Sequence, residues 1–266
     1  MDFRLVAAFI LAFVFATNLL TEAQQKTDNL SPAVIQERLA KVPVLCYHQI
    51  RDWTNSDSKS SKVYIMPPAT FKNQLAALQR EGYHSISPEQ LMAYAYKGMT
   101  LPPKPILLTF DDGSIGQYEV ALPELQKAKY TATFFIMTVS INRPHYMSKD
   151  MIKDLVSKGY DIGCHTWNHE MVTKYTTPED WNKQLTKPTK ELQVLTGRRM
   201  IFFAYPDGLY NDKAFQPLKN AHYVAAFQLW GKIDETEPFL CIRRMIADGL
   251  WSGTELLQQM KARYHN

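Results

Sequence analysis

Residues 107–113 read LLTFDDG, an apolar run that ends in two adjacent carboxylates and a glycine. Its first five residues, with Pro105 and Ile106, form the strand candidate PILLTFD (105–111). Seven further short apolar runs share its character: 42–48, 83–87, 131–137, 160–166, 200–206, 223–228 and 240–246. Helix-like stretches lie between them at 68–82, 87–98, 118–129, 148–159 and 178–197. Several open on Ser or Pro and close on Gly, the residues that start and stop helices. Strands alternating with helices predict a parallel sheet with crossover connections. Seven or eight such units in one chain predict a distorted (β/α)7–8 barrel rather than an open sheet. No repeat, low-complexity tract or long linker interrupts the pattern, and RDWTNSDSKSSK (51–62) reads as one polar loop, so a single domain is expected.

The amino terminus is read apart from that domain. Arg4, the apolar LVAAFILAFVFA (5–16) and a small residue at Ala23 have the form of a secretory signal peptide over 1–23. The expected organisation is therefore a signal at 1–23, a leader at 24–40 and a catalytic domain at 41–266. The expected location is secreted, periplasmic or in the cell envelope, with no stable membrane insertion after cleavage. The net charge of +4 is spread without a Lys/Arg block, which gives no support to a nucleic-acid partner. Cys46, Cys164 and Cys241 form no Cys-x-x-Cys pattern and sit in apolar contexts. They read as small buried hydrophobes.

In a barrel of this kind working residues occupy the C-terminal ends of the strands. Asp111 and Asp112 stand there. Asp-Asp-Gly is also ordinary turn chemistry, so the pair alone decides nothing. The stretch GCHTWNHE (163–170) adds His165 and His169, four residues apart at the end of another strand. A helical turn would set both imidazoles on one face. Two histidines and a carboxylate make a three-ligand site with open positions, the arrangement of catalytic zinc. Cobalt or nickel suits the same ligands.

TFDDG (109–113), ALPELQKAKYTATFFI (121–136) and HTWNH (165–169) resemble the polysaccharide deacetylases of carbohydrate esterase family 4, the NodB-homology domain. VLCYHQI (44–50) and FKNQLAALQREGYHSIS (71–87) look like the branch that deacetylates poly-N-acetylglucosamine. The resemblance implies that Asp112, His165 and His169 hold the metal and that Asp111 is the general base. FFAYPDG (202–208) resembles a third family motif, which makes the backbone N–H of Asp207 an oxyanion donor. Here the chain departs from the family, with Ala204 where an arginine is common and Asp207 where a tyrosine is. Arg244 is expected to replace that arginine; Arg243 and Arg244 point to opposite faces of one strand, so one at most can face the barrel. The late Leu-x-His motif of many relatives is missing, and His265 does not match it. His48 fits the first-strand position that supplies the acid in the poly-N-acetylglucosamine branch. Trp167 and Tyr205 are candidate substrate-binding residues.

The resemblance implies a secreted metal-dependent hydrolase that removes N-acetyl groups from an acetylated polysaccharide. An O-acetyl esterase on a xylan-like glycan and a decayed glycan-binding protein are the competing readings.

Overall fold

The computed structural model describes residues 31–264, so the expected signal peptide and His265 lie outside the described residues. All eight expected strand regions contain strands: β1 (Val44–Tyr47), β4 (His84–Ser85), β5 (Pro105–Phe110), β6 (Thr133–Ile136), β7 (Asp161–Cys164), β8 (Phe202–Ala204), β9 (Ala225–Gln228), and β10 (Ile242–Arg243) with β11 (Met245–Ile246). Every pairing between strands of the main sheet is parallel, in the order β10-β9-β8-β7-β6-β5-β1-β11, and β4 lies beside β5. Two short strands, β2 (Gln49–Ile50) and β3 (Ile65–Met66), pair separately.

The two ends of that order are halves of one segment. Residues 242–243 pair with β9, residues 245–246 pair with β1, and Arg244 sits at the break between them. Its N–H still donates to Gln228 O at 2.9 Å, while Ala247 N–H donates to Cys46 O at 2.9 Å. The segment therefore closes the sheet into a barrel.

Strand alternation divides the apolar residues into two cores. Leu45, Ile106, Leu108, Phe110, Phe134 and Phe203 pack outward beneath the helices. Val44, Leu107, Phe135, Phe202, Ala225 and Ile242 fill the barrel. Residues 32–40, read from sequence as part of a leader, form a helix whose Ile35 and Leu39 join this inner core. The inner face turns polar toward the strand ends, where Thr109, Asp111, His165 and Arg244 are buried.

Two expected helices are interrupted. In 118–129 a π-helical turn (Gln117–Ala121) precedes the α-helix Leu122–Ala128, and in 178–197 another (Asn182–Thr186) precedes Lys187–Thr196. Pro123 and Pro188 follow these turns as the second residue of each α-helix. Proline has no N–H for the i−4 carbonyl and its ring crowds that carbonyl, so the preceding turn widens. The expected loop 51–62 contains a short helix, Lys59–Lys62.

Gly163 lies on the barrel's inner face, where a Cβ would stand 2.4 Å from Phe135 Cδ1 and 2.8 Å from Phe202 O. The Phe135 ring uses the space a side chain would take. Gly163→Ala should overpack this layer at a cost of about 1–3 kcal/mol. Thermal unfolding should show it as a Tm lower by several degrees.

Candidate active site

Asp111 and Arg244 form a bidentate pair inside the barrel. Arg244 Nη1 donates to Oδ1 at 2.7 Å and Nη2 to Oδ2 at 2.7 Å. Nη1 also donates to Thr109 Oγ1 at 3.1 Å, and Thr109 in turn donates to Leu45 O at 2.7 Å. The guanidinium lies 5.5 Å from the centre of the Phe135 ring. Burial pushes the Asp111 carboxyl pKa up, but Arg244, helped by His165 and His48, overrides this and holds it well below the usual carboxylate range. Asp111 is thus a fixed anion. Arg243 is exposed, as the alternation requires.

Asp112 lies beside it, in a left-handed conformation (φ 75°) that turns its carboxylate away from the Arg244 pair. His165 Nε2 stands 3.5 Å and His169 Nε2 3.8 Å from Asp112 Oδ1. All three donors fall within 4.8 Å of one another. His165 Nδ1–H donates to Ala204 O at 2.8 Å, and because a carbonyl only accepts, the proton must be on Nδ1. Nε2 therefore presents a lone pair to Asp112. Both His165 Nε2 and Asp112 Oδ1 are buried without a hydrogen-bond partner. Burial lowers the His165 pKa, against the pull of Asp111 upward, which favours the neutral, ligand-competent ring. Two facing acceptors with no proton between them fit a divalent cation, and the donor set suits zinc.

The histidines meet differently from the sequence expectation. Residues 165–169 form a turn, not a helical face, with Thr166 and His169 both left-handed (φ 66° each). Thr166 Oγ1 accepts from His169 N–H at 3.0 Å, and the ring centres lie 4.8 Å apart. Asp207 is left-handed too (φ 55°), and its carboxylate faces His169 Nδ1 at 4.0 Å. Such strained residues gather where surrounding structure over-determines them, here at the strand ends.

A cavity of about 320 Å³ opens above the pair, lined by His48, Tyr64, Asp111, Asp207, Leu209 and Trp230 among others. Asp112 and His169 line it as well and also border a second groove that carries Arg143, Tyr146 and Asn168. His48 is half-buried and packs edge-on against Tyr64, 5.1 Å between ring centres. Its carbonyl and that of Asp111 both accept from the Gln117 amide, at 2.8 and 2.5 Å. One buried side chain thus joins the end of β1 to the end of β5.

Tyr205 does not touch this cavity. It is 1% exposed, its hydroxyl donates to Leu240 O at 2.8 Å, and its ring stacks on Tyr210. Alternation explains the correction, since Ala204 faces inward and Tyr205 must face the outer core. Trp167 lines neither cavity, and Lys183 Nζ covers its ring at 4.6 Å. Trp230, 53% exposed on the cavity wall, is the open indole face.

Residues 98–226 match the family model for polysaccharide deacetylase. A putative polysaccharide deacetylase of Bacillus subtilis is 27% identical over 202 residues, covering 76% of this chain and 69% of that protein. A poly-β-1,6-N-acetyl-D-glucosamine N-deacetylase of Staphylococcus aureus is 26% identical over 223 residues, covering 76% of this chain and 77% of that protein. The solved Streptococcus pyogenes deacetylase PplD, in complex with acetate, superposes with a TM-score of 0.74 at 26% identity, over 83% of this chain and 98% of that one.

Asp112→Asn and His165→Gln should each weaken zinc binding by at least about tenfold, a loss of the size that even outer-sphere changes cause. Asp111→Asn should still take up one equivalent. Metal analysis after dialysis against a graded zinc buffer separates the two outcomes.

Proposed function

We propose that this chain, which carries a polysaccharide deacetylase domain, is a zinc-dependent hydrolase that removes N-acetyl groups from N-acetylglucosamine units of an extracytoplasmic polysaccharide. The observation that carries the reading is the convergence of Asp112 Oδ1 and His165 Nε2, buried and unpartnered, beside the anchored Asp111. Among the described residues no helix is long and apolar enough to cross a membrane, and the secreted location rests on the sequence of 1–23.

Asp112, His165 and His169 would hold the cation, which when bound polarises the amide carbonyl and lowers the pKa of water. Asp111 accepts the proton of the attacking water. The Arg244 pair keeps the Asp111 carboxyl below the usual carboxylate range, so it stands ionised and able to accept that proton. The water oxygen bonds to the acetyl carbon, and the backbone N–H of Asp207 is the donor assigned to the developing oxyanion. The carbon–nitrogen bond then breaks as His48 protonates the leaving amine. Acetate and a free glucosamine amine result.

The Asp207 carboxylate faces His169 Nδ1 at 4.0 Å, so its charge has an imidazole partner on the cavity wall. It stands where a carboxylate can orient a metal-bound imidazole. Trp230 and Tyr64 offer ring faces on the cavity wall for sugar stacking.

The test is acetate release from a β-1,6-linked N-acetylglucosamine oligomer by zinc-loaded and metal-stripped protein. Release is expected only with zinc, and Asp111→Asn should lower it by about 10²–10⁴-fold with zinc still bound. A folded, zinc-bound chain that releases acetate only from acetylated xylan would establish the esterase reading instead. Release from no acetylated glycan would leave a binding protein.

A further inference from the structure

Alternation along β1 turns Val44 and Cys46 into the barrel, and the chain continues to His48 at the cavity. The Cys46 thiol lies in the barrel with no exposure, 3.4 Å from Asp111 Oδ2 and 3.9 Å from His48 Nδ1. One sulfur, one nitrogen and one oxygen donor thus lie within 4.8 Å of one another, apart from the Asp112, His165 and His169 cluster. We propose that Cys46, His48 and Asp111 form a second cation site, which takes a soft divalent ion and shuts down the enzyme.

The donor set determines which ion can enter. Asp111 already carries the Arg244 guanidinium on both oxygens, so a hard cation that relies on carboxylate charge gains little there. A thiolate with an imidazole selects soft or borderline ions such as cadmium and excess zinc over magnesium or calcium. Burial and the neighbouring Asp111 raise the Cys46 pKa, with Arg244 opposing, so without an ion the sulfur keeps its proton. Binding releases that proton to solvent as the metal–sulfur bond forms.

The consequence for catalysis follows from the atoms engaged, and it rests on the roles proposed above for His48 and Asp111. An ion on His48 Nδ1 prevents the ring from becoming the imidazolium that protonates the amine. An ion on Asp111 Oδ2 occupies the oxygen nearest His165, which lies 3.8 Å away. Acid and base are blocked together while the first metal stays in place.

The full chain, loaded with one equivalent of zinc, is titrated with cadmium chloride. Thiolate-to-cadmium charge-transfer absorption, bound metals and acetate release are followed together. The expected result is one cadmium per chain with zinc retained, a sulfur–cadmium band, and loss of acetate release over the same range. Cys46→Ser should abolish the band and weaken cadmium binding by at least about tenfold, with inhibition normalised to its own cadmium-free rate. His48→Gln should weaken binding similarly, and Cys46→Ala serves if the serine variant does not fold. No band at saturating cadmium, or a band that survives in Cys46→Ser, overturns the site. A band with undiminished release overturns the inhibition. A band in a chain with no initial acetate release leaves the site standing and sinks the catalytic reading.

Discussion

The buried pair between Arg244 and Asp111 is the constraint on which the rest of this structure depends. A carboxylate with almost no contact with water is tolerated only if its charge is met in place, and a bidentate guanidinium does that with two parallel bonds. The arginine comes from the segment that closes the barrel, at the break where pairing passes from β9 to β1. Closure and charge compensation are therefore one event. Ala204 fits the same logic, since it faces the barrel interior in register with Phe227. An arginine there in addition to Arg244 would set two buried guanidiniums against one carboxylate.

With Asp111 committed to Arg244, Asp112 must find other company. Its left-handed backbone swings the second carboxylate toward His165 and His169, so two adjacent like charges serve different partners. The Ala204 carbonyl fixes the His165 tautomer, and the Thr166 hydroxyl holds the His169 turn. Gln117 ties the ends of β1 and β5 so that His48 and Asp111 share one cavity. The site is built from backbone constraints as much as from its polar side chains.

Much of this was legible in the sequence. Strands of a closed parallel barrel are buried on both faces and read as continuous apolar runs, so their places could be found from composition alone. The Asp111-Asp112 pair and the His165, His169 spacing are local patterns, and that only one of Arg243 and Arg244 can face the barrel needs only a strand. The helix Phe215–Asn220 is six residues long and contains Pro217, too little for a periodic signal. Gly253–Tyr264 buries only Gly253, Leu256 and Met260, a thin stripe on a polar helix. Helix Pro32–Ala40 is nine residues long and buries only Ile35 and Leu39, too short an apolar stripe to stand out from the leader. The clamp by Gln117 joins residues 69 apart, which no local pattern reveals. Tyr205 belongs to the FFAYPDG motif, yet strand alternation turns it into the outer core, where it stacks on Tyr210.

The central claim is that Asp111 and Arg244 are held in the barrel by each other. A double-mutant cycle of Arg244→Met, Asp111→Asn and the combined variant, followed by equilibrium denaturant unfolding, tests it most directly. Each single change should cost about 3–5 kcal/mol by stranding a buried partner. The combined variant should cost less than the two together by about 2 kcal/mol or more. Additive losses would show that the two residues are buried independently and would contradict the account.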